Sequence, residues 1–317
     1  MNTPYNYLRL SLTDRCNFNC FYCQPSLRRQ FFDKSDMLGP EQILSLSEEM
    51  VSFGIRHIRL TGGEPLLRKD IYSLTETISA IPGLECLSLT TNGYFLGDFL
   101  KNSPVHLDRV NVSLDTLKKD RFKKFTGRDA LNRVVSGILK AKSLGVGSVK
   151  INVVLWRHFN DDEVFDFIDF GARHNIDVRF IEYFATKSKC EGQSGSFVPT
   201  NEIKNSIEKV RGPLESIGRD SLSGPAEYYR LKGHPARIGF ISSVTDNFCH
   251  ECNRLRLSAD GKLYLCLHSN RFIDLKNFFG KDFSESMPQS IKNFIIEKKQ
   301  YNKLTCQRLF EMSSIGG

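Results

Sequence analysis

The chain has 317 residues, 40% of them hydrophobic, which is enough for one α/β barrel that carries an extension. Its N-terminus has no apolar leader and no segment approaches ~18 consecutive apolar residues, so we expect neither a signal peptide nor a membrane span. We therefore expect a cytoplasmic protein, in which disulfides rarely persist. The net charge of +8 favours an anionic partner: nucleic acid, a membrane surface or a phosphorylated small molecule.

Short β-rich segments alternate with amphipathic segments through the first half of the chain. This alternation predicts about six βα units of a parallel sheet. Six units are fewer than the eight of a closed barrel, so we predict an α/β fold with a partial (β/α)6 TIM-type barrel and a C-terminal extension. We expect the barrel core in residues 1–185 and the extension in 186–317. The predicted strands are 7–13, 57–62, 86–91, 109–115, 148–155 and 177–183.

Polar or glycine-rich residues follow most of the predicted strands. The cysteine-rich stretch DRCNFNCFYC follows the first strand, GGEP (62–65) the second and TNG (91–93) the third. The fourth strand ends in SLD (113–115) and the sixth in EY (182–183). Each of these alone is typical of a simple turn. Because active sites of parallel α/β folds lie at the carboxyl ends of the strands, together they predict one shared site.

The first cysteine group has the spacing C-x3-C-x2-C at Cys16, Cys20 and Cys23. Such a group can form disulfides, bind zinc or hold an iron–sulfur cluster. A total of nine cysteines is odd and fits a disulfide framework poorly. Three thiolates would leave one iron of a four-iron cluster open to a substrate or cofactor.

A basic residue recurs on one face of four predicted strands, at Arg9, Arg59, Lys150 and Arg179. Strands that are covered on both sides read as continuous apolar segments, so these cations indicate a polar interior. One such residue is usually an edge feature. Four of them on separate strands predict a buried anion, for which arginine supplies forked donors.

The second cysteine group consists of Cys249, Cys252 and Cys266. The alternating segment 254–265 contains ADGK and predicts a hairpin that returns Cys266 to the other two cysteines. A zinc site with a nearby histidine and an iron–sulfur cluster with an open iron both fit this group.

The motifs resemble those of the radical S-adenosylmethionine (SAM) superfamily: C-x3-C-x2-C with an aromatic residue before its last cysteine, then GGEP after the second strand. In that superfamily the open iron chelates SAM, and reduction cleaves SAM to a 5′-deoxyadenosyl radical. With the C-terminal C-x2-C-x13-C and Gly-Gly, residues 5–317 resemble the GTP 3′,8-cyclase family of molybdenum cofactor biosynthesis. The resemblance implies a lyase that converts GTP to (8S)-3′,8-cyclo-7,8-dihydroguanosine 5′-triphosphate, by hydrogen abstraction from ribose C3′ and attack on guanine C8.

The same resemblance implies a role for individual residues. His57 stands where the family often has a basic residue, and Phe184 where it commonly has Met. One [4Fe-4S] cluster would be held by Cys16, Cys20 and Cys23, and a second, guanine-binding one by Cys249, Cys252 and Cys266. SAM contacts are implied for Tyr22, Gly63, Glu64, Asn92, Ser113 and Phe184. GTP contacts are implied for Arg9, Arg59, Thr90, Lys150, Arg179, Arg254, Leu255 and Arg256. Catalytic roles are implied for Arg9, Lys150, Gly316 and Gly317.

The implied cofactors are two [4Fe-4S] clusters and SAM, with GTP as the substrate. The implied partners are an electron donor such as flavodoxin or ferredoxin, cyclic pyranopterin monophosphate synthase by product hand-off, and a second copy of the chain in a homodimer. No membrane or nucleic-acid partner is expected. Two alternatives stay open: another radical SAM enzyme with an auxiliary cluster that modifies peptide or RNA, and a zinc-containing nucleic-acid-binding protein. The second leaves GGEP and the N-terminal cysteines unexplained.

Overall fold

The structure, a computed structural model, describes residues 5–20, 22–23, 31–101, 107–183, 196–219, 224–246, 252–267, 269, 271–279 and 289–300. The strands are β1 Tyr7–Ser11, β2 His57–Thr61, β3 Cys86–Thr91, β4 Arg109–Ser113, β5 Ser148–Leu155, β6 Asp177–Glu182, β7 Leu214–Arg219, β8 Glu227–Leu231, β9 Ile238–Ile241, β10 Arg254–Leu257, β11 Lys262–Tyr264 and β12 Phe272–Asp274. The helices are α1 Pro40–Phe53, α2 Ile71–Ser79, α3 Leu96–Phe99, α4 Lys119–Thr126, α5 Leu131–Ser143, α6 Val164–His174, α7 Thr200–Arg211 and α8 Gln289–Ile296. None of the helices within these ranges is long and apolar enough to cross a membrane.

The first six strands confirm the prediction. All six begin where the sequence pattern places them, and β1 and β4 end two residues earlier than predicted. Pairing nevertheless continues past both ends, since Leu12 N donates to Thr61 O at 2.8 Å and Leu114 N donates to Asn152 O at 3.0 Å. The first residue after β1 and after β4 therefore still pairs with a neighbouring strand before the loop begins.

The strands form one sheet in the order β12-β11-β10-β1-β2-β3-β4-β5-β6-β9-β8-β7. Its centre is parallel from β10 to β9, and antiparallel pairs extend it at both ends. The predicted partial barrel is confirmed, but its parallel part has eight strands instead of six. The two added strands, β9 and β10, come from the C-terminal part of the chain, outside the βα repeat that the sequence pattern detects.

The two faces of the sheet differ in chemistry. On one face Leu8, Leu10, Ile58 and Leu60 are fully buried beneath the helices. Burial of each such side chain stabilises the fold by about 1.5–3 kcal/mol. The other face carries the polar side chains that alternate with these residues, and it forms the inside of the partial barrel.

Candidate active site

The cysteine loop (residues 12–23) follows β1 and carries the first cysteine group. Cys16, Cys20 and Cys23 form no disulfide. Cys16 Sγ accepts hydrogen bonds from Phe18 N at 3.4 Å and from Asn92 Nδ2 at 3.6 Å. Donors directed at a cysteine sulfur are a feature of iron–sulfur sites, where they tune the cluster. Burial and the neighbouring Cys23 raise the pKa of Cys20, and a bound metal ion would favour the thiolate.

The GGEP loop after β2 packs directly on the cysteine loop. Gly63 N donates to Thr13 O at 2.6 Å, and Glu64 N donates to Arg15 O at 2.8 Å. A Cβ atom at Gly63 would lie 2.2 Å from the carbonyl oxygen of Arg15, and one at Gly62 would lie 2.4 Å from that of Thr13. Both glycines are therefore required by this close backbone approach.

Glu64 joins the loops after β2 and β3. Its carboxylate is fully buried and accepts hydrogen bonds from Leu66 N, Thr91 Oγ1 and Asn92 N at 2.7–3.1 Å. Burial raises the pKa of Glu64 to about 7, although these three donors oppose the shift. Asn92 in turn donates to Cys16, so the chain of contacts runs from Glu64 to the proposed cluster site.

Tyr22, the aromatic residue before the third cysteine, is fixed by β4 and β5. Its hydroxyl donates to Asp115 Oδ2 at 3.0 Å, and Asp115 Oδ1 accepts from Val154 N at 2.7 Å. The Tyr22 ring packs on Phe125 with centroids 5.2 Å apart. Burial raises the pKa of Asp115 to about 7. Ser113, at the end of β4, lies two residues before Asp115, so the predicted SAM contacts Tyr22, Gly63, Asn92 and Ser113 share this end of the sheet.

Three arginines lie side by side across β10, β1 and β2. The register pairs Arg9 with Arg256 on one side and with Arg59 on the other. Neighbouring strands are about 4.8 Å apart, which places like charges close together. Burial lowers the pKa of Arg9, and Arg256 lowers it further. Burial and Arg254 lower the pKa of Arg256 to about 10. An anion between these side chains would relieve both effects.

A network at the start of β2 and β3 positions Arg59. Arg59 Nε donates to Ser88 Oγ at 3.0 Å, and His57 Nε2 lies 2.7 Å from the same oxygen. The Tyr7 ring packs on His57 with centroids 4.1 Å apart, and the Arg59 guanidinium lies 5.5 Å from the Tyr7 centroid. Ser88 and Tyr7 thus help to orient the guanidinium. His57 contacts the same Ser88 hydroxyl that Arg59 contacts.

The remaining predicted cations are Lys150 on β5 and Arg179 on β6. They are 1% and 2% exposed, which places them fully inside the protein. Burial lowers the pKa of Lys150; Tyr228 opposes the shift and Arg179 adds to it. Arg179 also helps to lower the pKa of Arg59. Arg179 therefore acts electrostatically on both Arg59 and Lys150, so the cations predicted from strand alternation influence one another.

Three uncharged polar atoms inside the sheet complete this region. Thr90 Oγ1, Asn111 Nδ2 and Asn152 Oδ1 are buried and have no hydrogen-bond partner within the residues that the structure describes. They lie on the adjacent strands β3, β4 and β5, where the register pairs Thr90 with Asn111. An unsatisfied buried polar atom costs about 1–3 kcal/mol, and native proteins retain few of them. A polar ligand inside the barrel would satisfy all three.

The second cysteine group flanks the predicted hairpin, which the antiparallel pairing of β10 and β11 confirms. Cys252 precedes β10 and Cys266 follows β11. Burial raises the pKa of Cys252, but Arg254 and Lys298 outweigh burial and lower it to about 6. Lys298 Nζ lies 3.6 Å from Cys252 Sγ. A thiol with this pKa is largely a thiolate at neutral pH, the form that binds metal ions.

Comparison with known proteins identifies the family. Residues 10–171 match the radical SAM superfamily, and residues 176–304 match the family described as Molybdenum Cofactor Synthesis C. The GTP 3′,8-cyclase of Moorella thermoacetica is 44% identical over 272 residues, which are 86% of this chain and 84% of that protein. The GTP 3′,8-cyclase of Clostridium perfringens strain SM101 is 39% identical over 318 residues, 98% of this chain and 97% of that protein. The chain belongs to the GTP 3′,8-cyclase family.

Membership of the GTP 3′,8-cyclase family makes this chain a radical SAM enzyme and implies SAM and an iron–sulfur cluster as its cofactors. It favours the predicted cyclase over both alternatives, the peptide- or RNA-modifying enzyme and the zinc-containing nucleic-acid-binding protein. The family that was predicted from the two cysteine groups, GGEP and the Gly-Gly end is therefore confirmed.

Solved structures with the same fold include Streptococcus suis SuiB. In its complex with precursor peptide SuiA, SuiB superposes with a TM-score of 0.60 at 14% identity, over 88% of this chain and 65% of the SuiB chain. SuiB with S-adenosylmethionine bound superposes with a TM-score of 0.58 at 13% identity, over 88% of this chain and 64% of the SuiB chain. This chain thus spans slightly less than two thirds of SuiB. At such identities the likeness shows the fold alone, and it agrees with the predicted partial barrel.

Several predicted residues of this cyclase-family site lie elsewhere or outside the description. Leu255 is fully buried in the apolar core, on the face of β10 opposite to its charged neighbours, so its side chain does not face the cations. Glu182, at the end of β6, is fully buried; its carboxylate accepts from Thr200 N, Val244 N and Thr245 N at 2.8–3.0 Å. This carboxylate holds the segment after β9. Four predicted residues lie outside the described residues: Cys249, Phe184, Gly316 and Gly317.

The sequence analysis also missed residues that the structure places beside the predicted site residues. Strand alternation on β4 places Asn111 on the same face as Ser113. This alternation could have predicted Asn111 as an inward-facing residue. Ser88 follows the same kind of alternation on β3, but serine is too common in strands to attract notice. Tyr228 lies on β8, and nothing in the sequence shows that β8 reaches the barrel through β9.

Proposed function

We propose that this chain cyclises GTP to (8S)-3′,8-cyclo-7,8-dihydroguanosine 5′-triphosphate, the first step of molybdenum cofactor biosynthesis. The observation that carries the proposal is the set of buried cations inside a sheet whose strand ends carry the cysteine loop. Arg256, Arg9 and Arg59 lie in register, and Arg179 joins them to Lys150. A polyanion with a reactive group at its other end fits this arrangement.

At the carboxyl ends of the strands, Cys16, Cys20 and Cys23 would hold the first cluster. When bound, the cluster and SAM supply the radical that removes hydrogen from ribose C3′. The protein's contribution is to position: the GGEP backbone fixes the cysteine loop, and Asp115 fixes Tyr22. Tyr22, Gly63, Asn92 and Ser113 are the proposed SAM contacts that the structure describes near this loop. Glu64 acts through Asn92, because its carboxylate is occupied by backbone and hydroxyl donors.

Deeper in the barrel, the cations would bind the triphosphate. Forked guanidinium groups suit phosphate oxygens, and charge-assisted hydrogen bonds are about twice as strong as neutral ones. Thr90, Asn111 and Asn152 offer further polar atoms to the ribose or phosphates. A ligand held at its phosphates and at its base would present C3′ in one orientation, which supplies much of the rate enhancement for a reaction of this type. Arg9 and Lys150 are the proposed catalytic residues among these.

The second cysteine group is proposed to hold an auxiliary [4Fe-4S] cluster that binds guanine. Cys252 and Cys266 flank the hairpin that carries Arg254 and Arg256, so base and phosphate sites would adjoin. We expect about eight irons per chain after anaerobic reconstitution, four for each cluster. About four irons together with one zinc would refute the second cluster.

The remaining proposals concern partners and the chain end. An electron donor such as flavodoxin or ferredoxin would reduce the first cluster, and cyclic pyranopterin monophosphate synthase would receive the product. The chain is further proposed to act as a homodimer. Gly316 and Gly317 are proposed to complete the GTP site, because residues without side chains can pass close to a ligand.

The proposal is tested by anaerobic incubation of the reconstituted chain with SAM, dithionite and one nucleotide. With GTP we expect 5′-deoxyadenosine together with a cyclised product of the same mass as GTP. With ATP we expect no cyclised product, because guanine recognition is lost. Formation of 5′-deoxyadenosine without any GTP-derived product would contradict the proposed function and leave the radical SAM chemistry intact.

A further inference from the structure

A tyrosine from the C-terminal part of the chain contacts the lysine of the proposed GTP site. Lys150 Nζ donates to Tyr228 Oη at 2.9 Å. Both side chains are 1% exposed, and Lys150 Nζ also lies 4.9 Å from the centroid of the Tyr228 ring. In such a dry environment the hydroxyl partly replaces the hydration that the ammonium loses. The position of the ammonium group therefore depends on the hydroxyl of Tyr228.

A carboxylate near Lys150 interacts mainly with another cation. Asp177 Oδ2 lies 4.0 Å from Lys150 Nζ, but the guanidinium of Arg237 donates to the same carboxylate at 2.6 Å. Arg237 also lies 4.6 Å from the centroid of the Tyr228 ring. Because Arg237 neutralises much of the charge on Asp177, Lys150 retains positive charge for a ligand.

The strand between Tyr228 and Arg179 carries a glycine that makes room for both. Gly239 is paired with Arg179 on one side and with Tyr228 on the other. A Cβ atom at Gly239 would lie 2.7 Å from Arg179 Cγ and 3.1 Å from Tyr228 Cε1. The absence of a side chain at Gly239 lets Tyr228 lie beside Arg179 as well as Lys150. Tyr228 thus lies next to two of the cations assigned to the substrate phosphates.

We propose that Tyr228 is a positioning residue of the triphosphate site, an inference that rests on the proposed GTP cyclase function. Its hydroxyl accepts a hydrogen bond from the Lys150 ammonium and so fixes the position of this cation inside the barrel. Through β8 the C-terminal part of the chain thereby helps to build a site that otherwise lies on the barrel strands.

The next residue supplies a matched control. Tyr229 Oη accepts from Lys204 Nζ at 2.7 Å, and this ammonium lies 4.4 Å from the Tyr229 centroid. The two tyrosines thus make the same kind of contact, but adjacent strand residues face opposite sides of a sheet. Lys204 belongs to α7, outside the barrel interior. A Tyr229→Phe substitution removes an equivalent hydroxyl without touching the proposed phosphate site.

The test compares Tyr228→Phe with Tyr229→Phe in the full reconstituted chain, by equilibrium binding of GTP and of guanosine. We expect Tyr228→Phe to weaken GTP binding about tenfold, near the lower limit for loss of a hydrogen bond to a charged group. Guanosine binding should stay near the parent value, while KM for GTP should rise by a larger factor than kcat falls. Tyr229→Phe should leave all of these values unchanged. Iron content and thermal unfolding of both variants should match the parent.

A second measurement separates positioning from a general structural effect. In a Lys150→Met background, Tyr228→Phe should cause no further loss of GTP affinity, because the group that it positions is absent. A full tenfold loss in that background, or parent-like GTP affinity of Tyr228→Phe alone, would overturn the role of Tyr228. A parent protein that binds no GTP would overturn the proposed function and this role together.

Discussion

The loops at the carboxyl ends of β1, β2 and β3 are held together by bonds among themselves, whereas the side chains inside the sheet crowd like charges and leave polar atoms unsatisfied. In the loops, Gly63 and Glu64 bond to the backbone of the cysteine loop, and the Glu64 carboxylate accepts three hydrogen bonds. Inside the sheet, burial and the neighbouring Arg256 lower the pKa of Arg9, and Asn111 Nδ2 is buried without a partner among the described residues. The comparison indicates that the loops after β1, β2 and β3 form a rigid frame for the cofactors. The cations and polar atoms inside the sheet form a chamber that an anionic ligand would stabilise.

The largest expected effect comes from removing a cysteine of that frame. Cys20→Ser should lose one cluster of the two, so that iron falls from about eight to about four per chain, and reductive SAM cleavage should stop. Cys252→Ser should also lose iron but retain SAM cleavage without GTP, while forming no cyclised product. A Cys252→Ser enzyme that cyclises GTP at the parent rate would show that the second group is no part of the substrate site.

The frame can also be broken through its backbone. Gly63→Ala would place a methyl group 2.2 Å from the carbonyl oxygen of Arg15, so the cysteine loop must move. We expect loss of most iron from the first cluster and of SAM cleavage, measured by iron analysis and 5′-deoxyadenosine formation. Gly39→Ala is the control, since a Cβ atom there meets only the Gln42 side chain at 3.8 Å. Equal iron contents in the two variants would contradict the rigid-frame account.

Removal of one cation tests the chamber. Arg256→Ala should weaken GTP binding by about 1.5–3 kcal/mol, the range for hydrogen bonds to charged groups, and should leave guanosine binding nearly unchanged. The control is Arg211→Ala, which removes an exposed ion pair with Asp169 and should leave GTP binding as it is. Calorimetric titration measures all three proteins. An equal loss of affinity for guanosine would mean that the substitution disturbs the fold instead.

The smallest expected effect is a pH dependence of stability that arises at Glu64. Burial raises its pKa from 4.5 to about 7, so the protonated form is favoured in the folded state. The stability that this group contributes is full below its unfolded pKa and is lost as the pH rises through about 7, by at most about 3 kcal/mol. Glu64→Gln cannot ionise, so its free energy of unfolding should not show this fall.

Urea unfolding of the parent and of Glu64→Gln at pH 5 and pH 8 measures the effect. The offset between the two proteins at one pH is not informative, since glutamine also changes the hydrogen bonds to Leu66 N and Asn92 N. The informative quantity is the change in the free energy of unfolding of each protein between pH 5 and pH 8. An equal change in the free energy of unfolding of both proteins would show that the pKa of Glu64 is not raised in the folded state.

The sequence predicts the frame and much of the chamber because both depend on local patterns. Strand alternation places Arg59 and Lys150 on one face, and cysteine spacing identifies the loop after β1. The contribution of β9 and β10 to the parallel sheet could not be predicted, because it depends on pairing between distant segments. For the same reason the contact of Lys150 with Tyr228, 78 residues apart, is visible only in the structure.

The central claim, that the buried cations orient GTP for reaction at its ribose, is tested most directly with GTP carrying deuterium at C3′. The reconstituted chain is incubated anaerobically with this substrate, SAM and dithionite, and 5′-deoxyadenosine is examined by mass spectrometry. We predict that one deuterium atom moves from C3′ to 5′-deoxyadenosine as the cyclised product forms, and that Arg256→Ala lowers the yield at limiting GTP. Unlabelled 5′-deoxyadenosine alongside unchanged GTP would contradict the account.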